Sequence, residues 1–184
     1  FTIYPLDNYE AGIAVEFAYD RLDKRIAAIL HSNNDFGQGA KNVLEQKFKE
    51  KGGKVSIVEN YLVGAKDFRT QLTKIKNSDA DVLFVWGQPN EMVPILQQLK
   101  ELNIQLPIVS TSVDIETDDL KKAGLELANG VIYTTFKTPV NANSDYLSFE
   151  YQKRYQKDDG WFPTIGYDVV LLIADALRNG GTDA

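Results

Sequence analysis

The chain has 184 residues, of which 43% are hydrophobic and 25% charged, and its formal net charge is -6. That balance fits one globular domain able to bury a proper core, and the acidic excess argues against a nucleic-acid partner, which needs a basic patch or stripe. Cysteine is absent, which excludes disulfides, thiolate metal ligands and a cysteine nucleophile.

No apolar run approaches the roughly 20 residues of a membrane span. The longest is Val169 to Ala174, read as a helix face. The chain opens on Phe1 without a signal peptide, as expected of a processed or excised chain.

A first helix is expected over about 8–22. Arg25 to His31 is a short apolar run and predicts a buried strand. Ala40, Val43, Leu44 and Phe48 recur at helical spacing within 36–51, and Gly52-Gly53 ends that helix with a left-handed cap. A second strand covers 55–58. Asp67 is placed to cap a helix running to about Asn77, with Phe68, Leu72 and Ile75 on one face. Asp81 to Trp86 is a third strand. A helix over 89–102 contains Pro94, which implies a late start or a kink. Strands over 107–110 and 131–134 flank a short helical piece at 120–128, and helices over 144–157 and 164–178 close the chain.

Alternating helices and near-continuous apolar strands predict a parallel sheet covered on both faces. The expected fold class is α/β, a doubly wound parallel sheet of order 2-1-3-4-5. In such a sheet ligands lie at the switch point between strands 1 and 3, outside the carboxyl ends of the strands. That selects Ser32 to Phe36 after strand 1, Gly87 to Asn90 after strand 3, and Thr111 to Asp114 after strand 4. All three are polar and lead toward helices, whose free N–H groups suit a carboxylate.

Other chemistries fit less well. His31 is the only histidine, with Asp35 near it in sequence, but a general base needs a partner and a substrate proton in reach. Gly37-Gln38-Gly39 with Glu59 has part of a dinucleotide fingerprint, yet Asn42 stands where the third glycine belongs. Small residues that let the helix start pack closely explain those glycines better. A flavin phosphate would avoid Asp35, and Trp86 holds the place of a receiver domain's aspartate. Asp114, Glu116, Asp118 and Asp119 lack the glycine and distal glutamate of a calcium loop, and read as a charged first helix turn. No catalytic residue, metal ligand or cofactor site is predicted, and no enzyme activity. Trp161 and Phe162 are read as packing on the last helix or reaching toward a partner lobe.

Several segments together resemble the branched-chain amino-acid binding proteins of ABC transporters, a periplasmic binding protein type I family. They are Phe1 with Pro5-Leu6-Asp7, Arg25 to Ile29 followed by Asp35-Phe36-Gly37, and Gly52-Gly53-Lys54-Val55. Gly64 to Phe68, Asp81 to Val85, Ala123-Gly124 with Gly130-Val131, and Gly166-Tyr167-Asp168 with Ala174 complete the set. The resemblance runs over essentially all 184 residues.

It implies a two-lobed protein that closes on a ligand by a hinge, with 1–184 as a single Rossmann-like lobe, the second of two. The partners it implies are a small-molecule ligand (an amino acid or related acid), a membrane permease and the first lobe, in a periplasmic or extracellular place. The candidate ligand contacts are Asn34 and Asp35, on the loop that the topology selects after strand 1, with Phe36, Gln88, Ser112 and Asp114, which the resemblance implies. Gln88 replaces a frequent aromatic. Ser112 stands where the family has the acid that takes the ligand's ammonium, with Asp114 placed to substitute, and Thr2 replaces an arginine. A ligand-sensing domain of a receptor or regulator is the alternative on the same fold.

Overall fold

The computed structural model describes residues 7–111, 118–135, 142–156 and 161–180. Five parallel strands, β1 (Ile26–Ser32), β2 (Lys54–Tyr61), β3 (Val82–Trp86), β4 (Ile108–Thr111) and β5 (Ile132–Thr134), form one sheet. Their order is β2-β1-β3-β4-β5, as the alternation of periods predicts.

Consecutive residues of β1 and β3 feed opposite cores. Ala27, Ile29, Val82, Phe84 and Trp86 join α1 (Asp7–Glu16) and α2 (Asp35–Glu50). Ala28, Leu30, Leu83 and Val85 join α3 (Arg69–Lys76) and α4 (Pro89–Glu101). The period of two therefore loads both faces, which is why these strands read as unbroken apolar runs. On α1 the buried face is Ala11, Ala14 and Val15, and Ala18 continues it, a helical spacing of small side chains.

Several ends depart from the sequence expectation for local reasons. The first helix turns into a π segment over Phe17–Arg21, closed by the Leu22 N–H donating to the Phe17 carbonyl at 3.1 Å. The end of α2 is as expected. Gly52 has φ +92° and donates to the Lys49 carbonyl, while Gly53 donates to the Phe48 carbonyl, both at 2.9 Å. Asp67 Oδ1 accepts from the Arg69 N–H at 3.1 Å, although α3 itself begins only at Arg69.

The helix α4 starts at Pro89 and continues through Pro94. Pro94 deprives the Asn90 carbonyl of its i+4 donor, and Asn90 is exposed, where water can replace it. The piece at 120–128 is two elements, α5 (Asp118–Ala123) and a 3₁₀ turn (Leu125–Ala128), separated by Gly124 at φ +102°.

The chain divides into two compact units. Leu6–Thr135 holds the sheet and α1 to α5. The other holds α6 (Ala142–Tyr155) and α7 (Trp161–Gly180). In α6, Tyr151 and Tyr155 pack their rings at 4.7 Å between centroids. In α7, Val170, Leu171, Leu172, Ile173 and Leu177 are all exposed.

Candidate functional site

The carboxyl edge of the sheet is set by strand register. Ser32 lies beside Tyr61, and His31 lies between Asn60 and Trp86. Here β1 has β2 on one side and β3 on the other, so the loops after β1 and β3 diverge and leave the switch-point crevice.

The loop after β1 is held tightly. The Asn33 N–H donates to the Tyr61 carbonyl at 2.9 Å. Asn34 caps α2 with its Oδ1, which accepts from the Gly37 N–H at 2.9 Å and from the Ser32 hydroxyl at 2.8 Å. Two glycines permit this closeness. A Cβ on Gly37 would run into the Ser32 carbonyl and hydroxyl, and one on Gly87 would run into the Tyr61 hydroxyl. A Cβ on Gly39 would meet nothing within 4 Å. Close packing thus explains Gly37 but not Gly39. Glu59, the other half of the dinucleotide pattern, pairs with Lys74 of α3 at 3.0 Å.

His31 is buried at 2% exposure, and its Nδ1 lies 2.8 Å from the Ser32 carbonyl. A carbonyl only accepts, so Nδ1 carries the proton of this bond. Burial is the main force lowering its pKa below the ordinary imidazole value. The Ser32 bond opposes that shift, and the Lys41 charge adds to it. Among the described residues no hydrogen bond joins this ring to a carboxylate. The arrangement is that of a packed core histidine.

The edge is therefore a polar rim of two helix starts with no acid–base pair built on His31. The model of the family described as periplasmic binding protein matches residues 1–184. The chain belongs to the periplasmic binding protein family. The chain is 21% identical over 182 residues to the leucine-, isoleucine-, valine-, threonine- and alanine-binding protein of Pseudomonas aeruginosa, with 98% of this chain and 48% of that protein covered. It spans about half the length of the curated relatives it matches.

Among solved structures, a leucine-binding protein of Thermotoga maritima superposes with a TM-score of 0.81 at 24% identity, covering 96% of this chain and 51% of the other. A solute-binding protein of an ABC transporter from Rhodopseudomonas palustris BisB5, bound to 3,4-dihydroxybenzoic acid, gives 0.75 at 20% identity, covering 97% and 50%. These likenesses show the fold, that of a type I periplasmic binding protein lobe. No helix among the described residues is long and apolar enough to cross a membrane.

Of the six residues the sequence selects, four lie on described segments after β1 and β3. Asn34 spends its oxygen on the α2 cap and keeps its amide nitrogen as the group it can offer. Asp35 is exposed in the first turn of α2, where its charge complements the helix dipole. Phe36 is half-buried and leans on the core of the α1–α2 face. Gln88 stands in extended backbone before α4, half-buried, and its side chain makes no capping bond. Ser112 and Asp114 lie outside the described residues, as do Thr2, Glu116 and the side chains of Asp118, Asp119, Trp161 and Phe162.

Sequence reading missed the buried polar residues that fix this edge. Gln98 is 5% exposed; it accepts from the Phe68 N–H at 2.7 Å and donates to the Lys66 carbonyl at 2.8 Å. Glu91 is 1% exposed and its Oε1 accepts from the Gly64 N–H at 2.7 Å. Together they tie the loop after β2 to α4. Glu10 is buried on α1 and accepts from the hydroxyls of Thr111 and Thr134, each at 2.7 Å. A signal was available. Glu10 adjoins the apolar stripe of α1, and Glu91 and Gln98 lie a helical turn from Ile95. A polar residue on such a stripe is either exposed or partnered.

Proposed function

We propose that this chain is part of the solute-binding component of an ABC uptake transporter, and that it binds an amino acid or a similar small carboxylate between two lobes by hinge closure. The observation that carries the reading is the match to the binding-protein family along the whole chain, on a sheet whose switch point opens between polar loops. The ligand contacts are Asn34, Asp35, Phe36, Gln88, Ser112 and Asp114. A ligand held by one lobe gains contacts from the other and shifts the open–closed population. A permease in the membrane reads the closed form, which places the protein in the periplasm or outside the cell. The named ligands of the relatives, amino acids and an aromatic acid, share a carboxylate, and that shared group is the class assigned here.

The sheet-bearing unit is the second lobe on this reading. The unit of α6 and α7 packs against first-lobe residues that lie outside this sequence. The exposed apolar residues of α7 support this, since a helix apolar on most of its surface is a buried helix. A thermal-shift screen of the full-length protein against amino acids and aromatic acids tests the function. A true ligand at a hundredfold excess over Kd stabilises by about 2.7 kcal/mol. A shift with one such class names the solute, and no shift with any carboxylate overturns the reading. The 184-residue chain holds half a pocket, and micromolar binding to it alone would contradict the two-lobed account.

A further inference from the structure

Glu10 has no part in the ligand contacts, yet it is a carboxylate at 4% exposure beside the alanine stripe of α1. Apolar side chains fill the neighbouring buried positions, so a charge there needs a reason. Its Oε1 accepts two hydroxyl protons, from Thr111 at the end of β4 and from Thr134 at the end of β5. Those two threonines are register partners in adjacent parallel strands. One oxygen thus joins three segments that are 101 and 124 residues apart in the chain. Two directional bonds fix the placement of α1 on the strand ends more strictly than apolar contact, which tolerates sliding.

The place of this clamp gives it a function. The sheet-bearing unit is bounded by Leu6 and Thr135. Glu10 lies just inside the first bound and Thr134 just inside the second, so both chain connections out of the unit are rooted at the same oxygen. Thr111 ends β4 and is the first residue of the predicted ligand loop Thr111 to Asp114. Hinge motion concentrates bending in a few residues between rigid bodies, and it needs the roots of the connecting segments to stay fixed.

We propose that Glu10 is a positioning residue for hinge closure. It clamps α1 and the ends of β4 and β5 into one rigid body, so that bending falls outside the unit. The proposal rests on the hinge-closing reading above.

The test reads interlobe distances by spin labelling in the full-length protein, with no ligand added. Gln46→Cys and Lys153→Cys place one exposed label in each unit. The parent gives a narrow distance distribution. Glu10→Ala loses that narrow peak, Thr134→Val broadens it partly, and Glu10→Gln restores it, because an amide oxygen still accepts both hydroxyls. Glu10→Ala with a lowered melting temperature but the parental distribution overturns the proposal, since the clamp then serves only stability. Glu10→Gln as broad as Glu10→Ala overturns it as well. If Glu10→Ala does not fold, Thr134→Val carries the test, and a parental distribution there refutes the clamp. A protein that shows the broadening but shifts with no solute in the thermal screen keeps the clamp and loses the transport reading.

Discussion

Two apolar runs in this chain meet opposite surroundings. Val82 to Trp86 is β3, and every side chain in it is fully buried. Val170 to Ile173 lies in α7, and each of its four residues is about half exposed or more. Composition does not separate them. The difference is what lies beside each run. Two strands and two helical layers flank β3, whereas the apolar side chains of α7 stand exposed. Hydrophobic stabilisation scales with area removed from water, so the same kind of sequence contributes strongly in one place and little in the other.

Mutation in the two runs breaks or upholds that contrast most directly. Phe84→Ala leaves a cavity between Phe48 and the sheet, where the two rings now meet edge to face at 5.8 Å. Its expected cost is about 3–5 kcal/mol, read from urea unfolding. Leu172→Ala in the same 184-residue chain is expected to stay within about 0.5 kcal/mol of the parent. In the full-length protein it should cost about 2–5 kcal/mol, as for a leucine in a closed core. Equal, small effects of Leu172→Ala in both lengths would mean that nothing covers α7 in the longer protein, and the two-lobed assignment would fail.

Polar ties inside the sheet-bearing unit sharpen the comparison at the next level. Asp81 accepts from the Arg25 N–H at 2.9 Å and from the Ile26 N–H at 3.0 Å, so it satisfies the start of β1 from the start of β3. Asp81→Ala removes both charge-assisted bonds and should cost about 1.5–3 kcal/mol. Gln98→Leu strands the Phe68 N–H, which is fully buried, while the Lys66 carbonyl is in an exposed residue and can turn to water. About 1–3 kcal/mol is expected from that one orphaned donor. Denaturant midpoints at unchanged m-value check both, and a neutral Gln98→Leu would show that the loop after β2 finds another partner.

The fold was legible because β1 from Ile26 to Leu30 and all of β3 are apolar and because helix signals such as Gly52-Gly53 sit where chain geometry needs them. The candidate rim was legible only as loops. Topology picks the loops after β1 and β3 without any knowledge of side chains. That Asn34 is already engaged by Ser32 and Gly37, and that Gln88 is not engaged in capping, depends on contacts within a few ångströms. The ties of Glu10 and Gln98 cross 30 residues or more and leave no local spacing pattern.

The smallest expected effect comes from His31, and it reports on the buried edge of the sheet directly. Burial lowers the folded-state pKa, with the Lys41 charge acting in the same direction. The unfolded chain keeps the ordinary value, near 6.5. Below that value the unfolded state takes up a proton that the folded state refuses, so stability is full above about pH 6.5 and falls as the pH drops through the folded-state pKa. One proton limits the slope to about 1.4 kcal/mol per pH unit. The pKa of Glu45 is lowered by hydrogen bonds from Lys41 and then Lys49, and its loss of stability belongs to the carboxylate range below about 4.5. The interval just below pH 6.5 is therefore the histidine's own. His31 is the only histidine in the sequence, so one imidazole ring resonance in the 184-residue chain follows the titration without assignment. A midpoint below 6.5, with the slope of stability flattened in His31→Gln, is the expected result. A midpoint at or above 6.5 would mean that water reaches the end of β1, and that this edge is as open as α7.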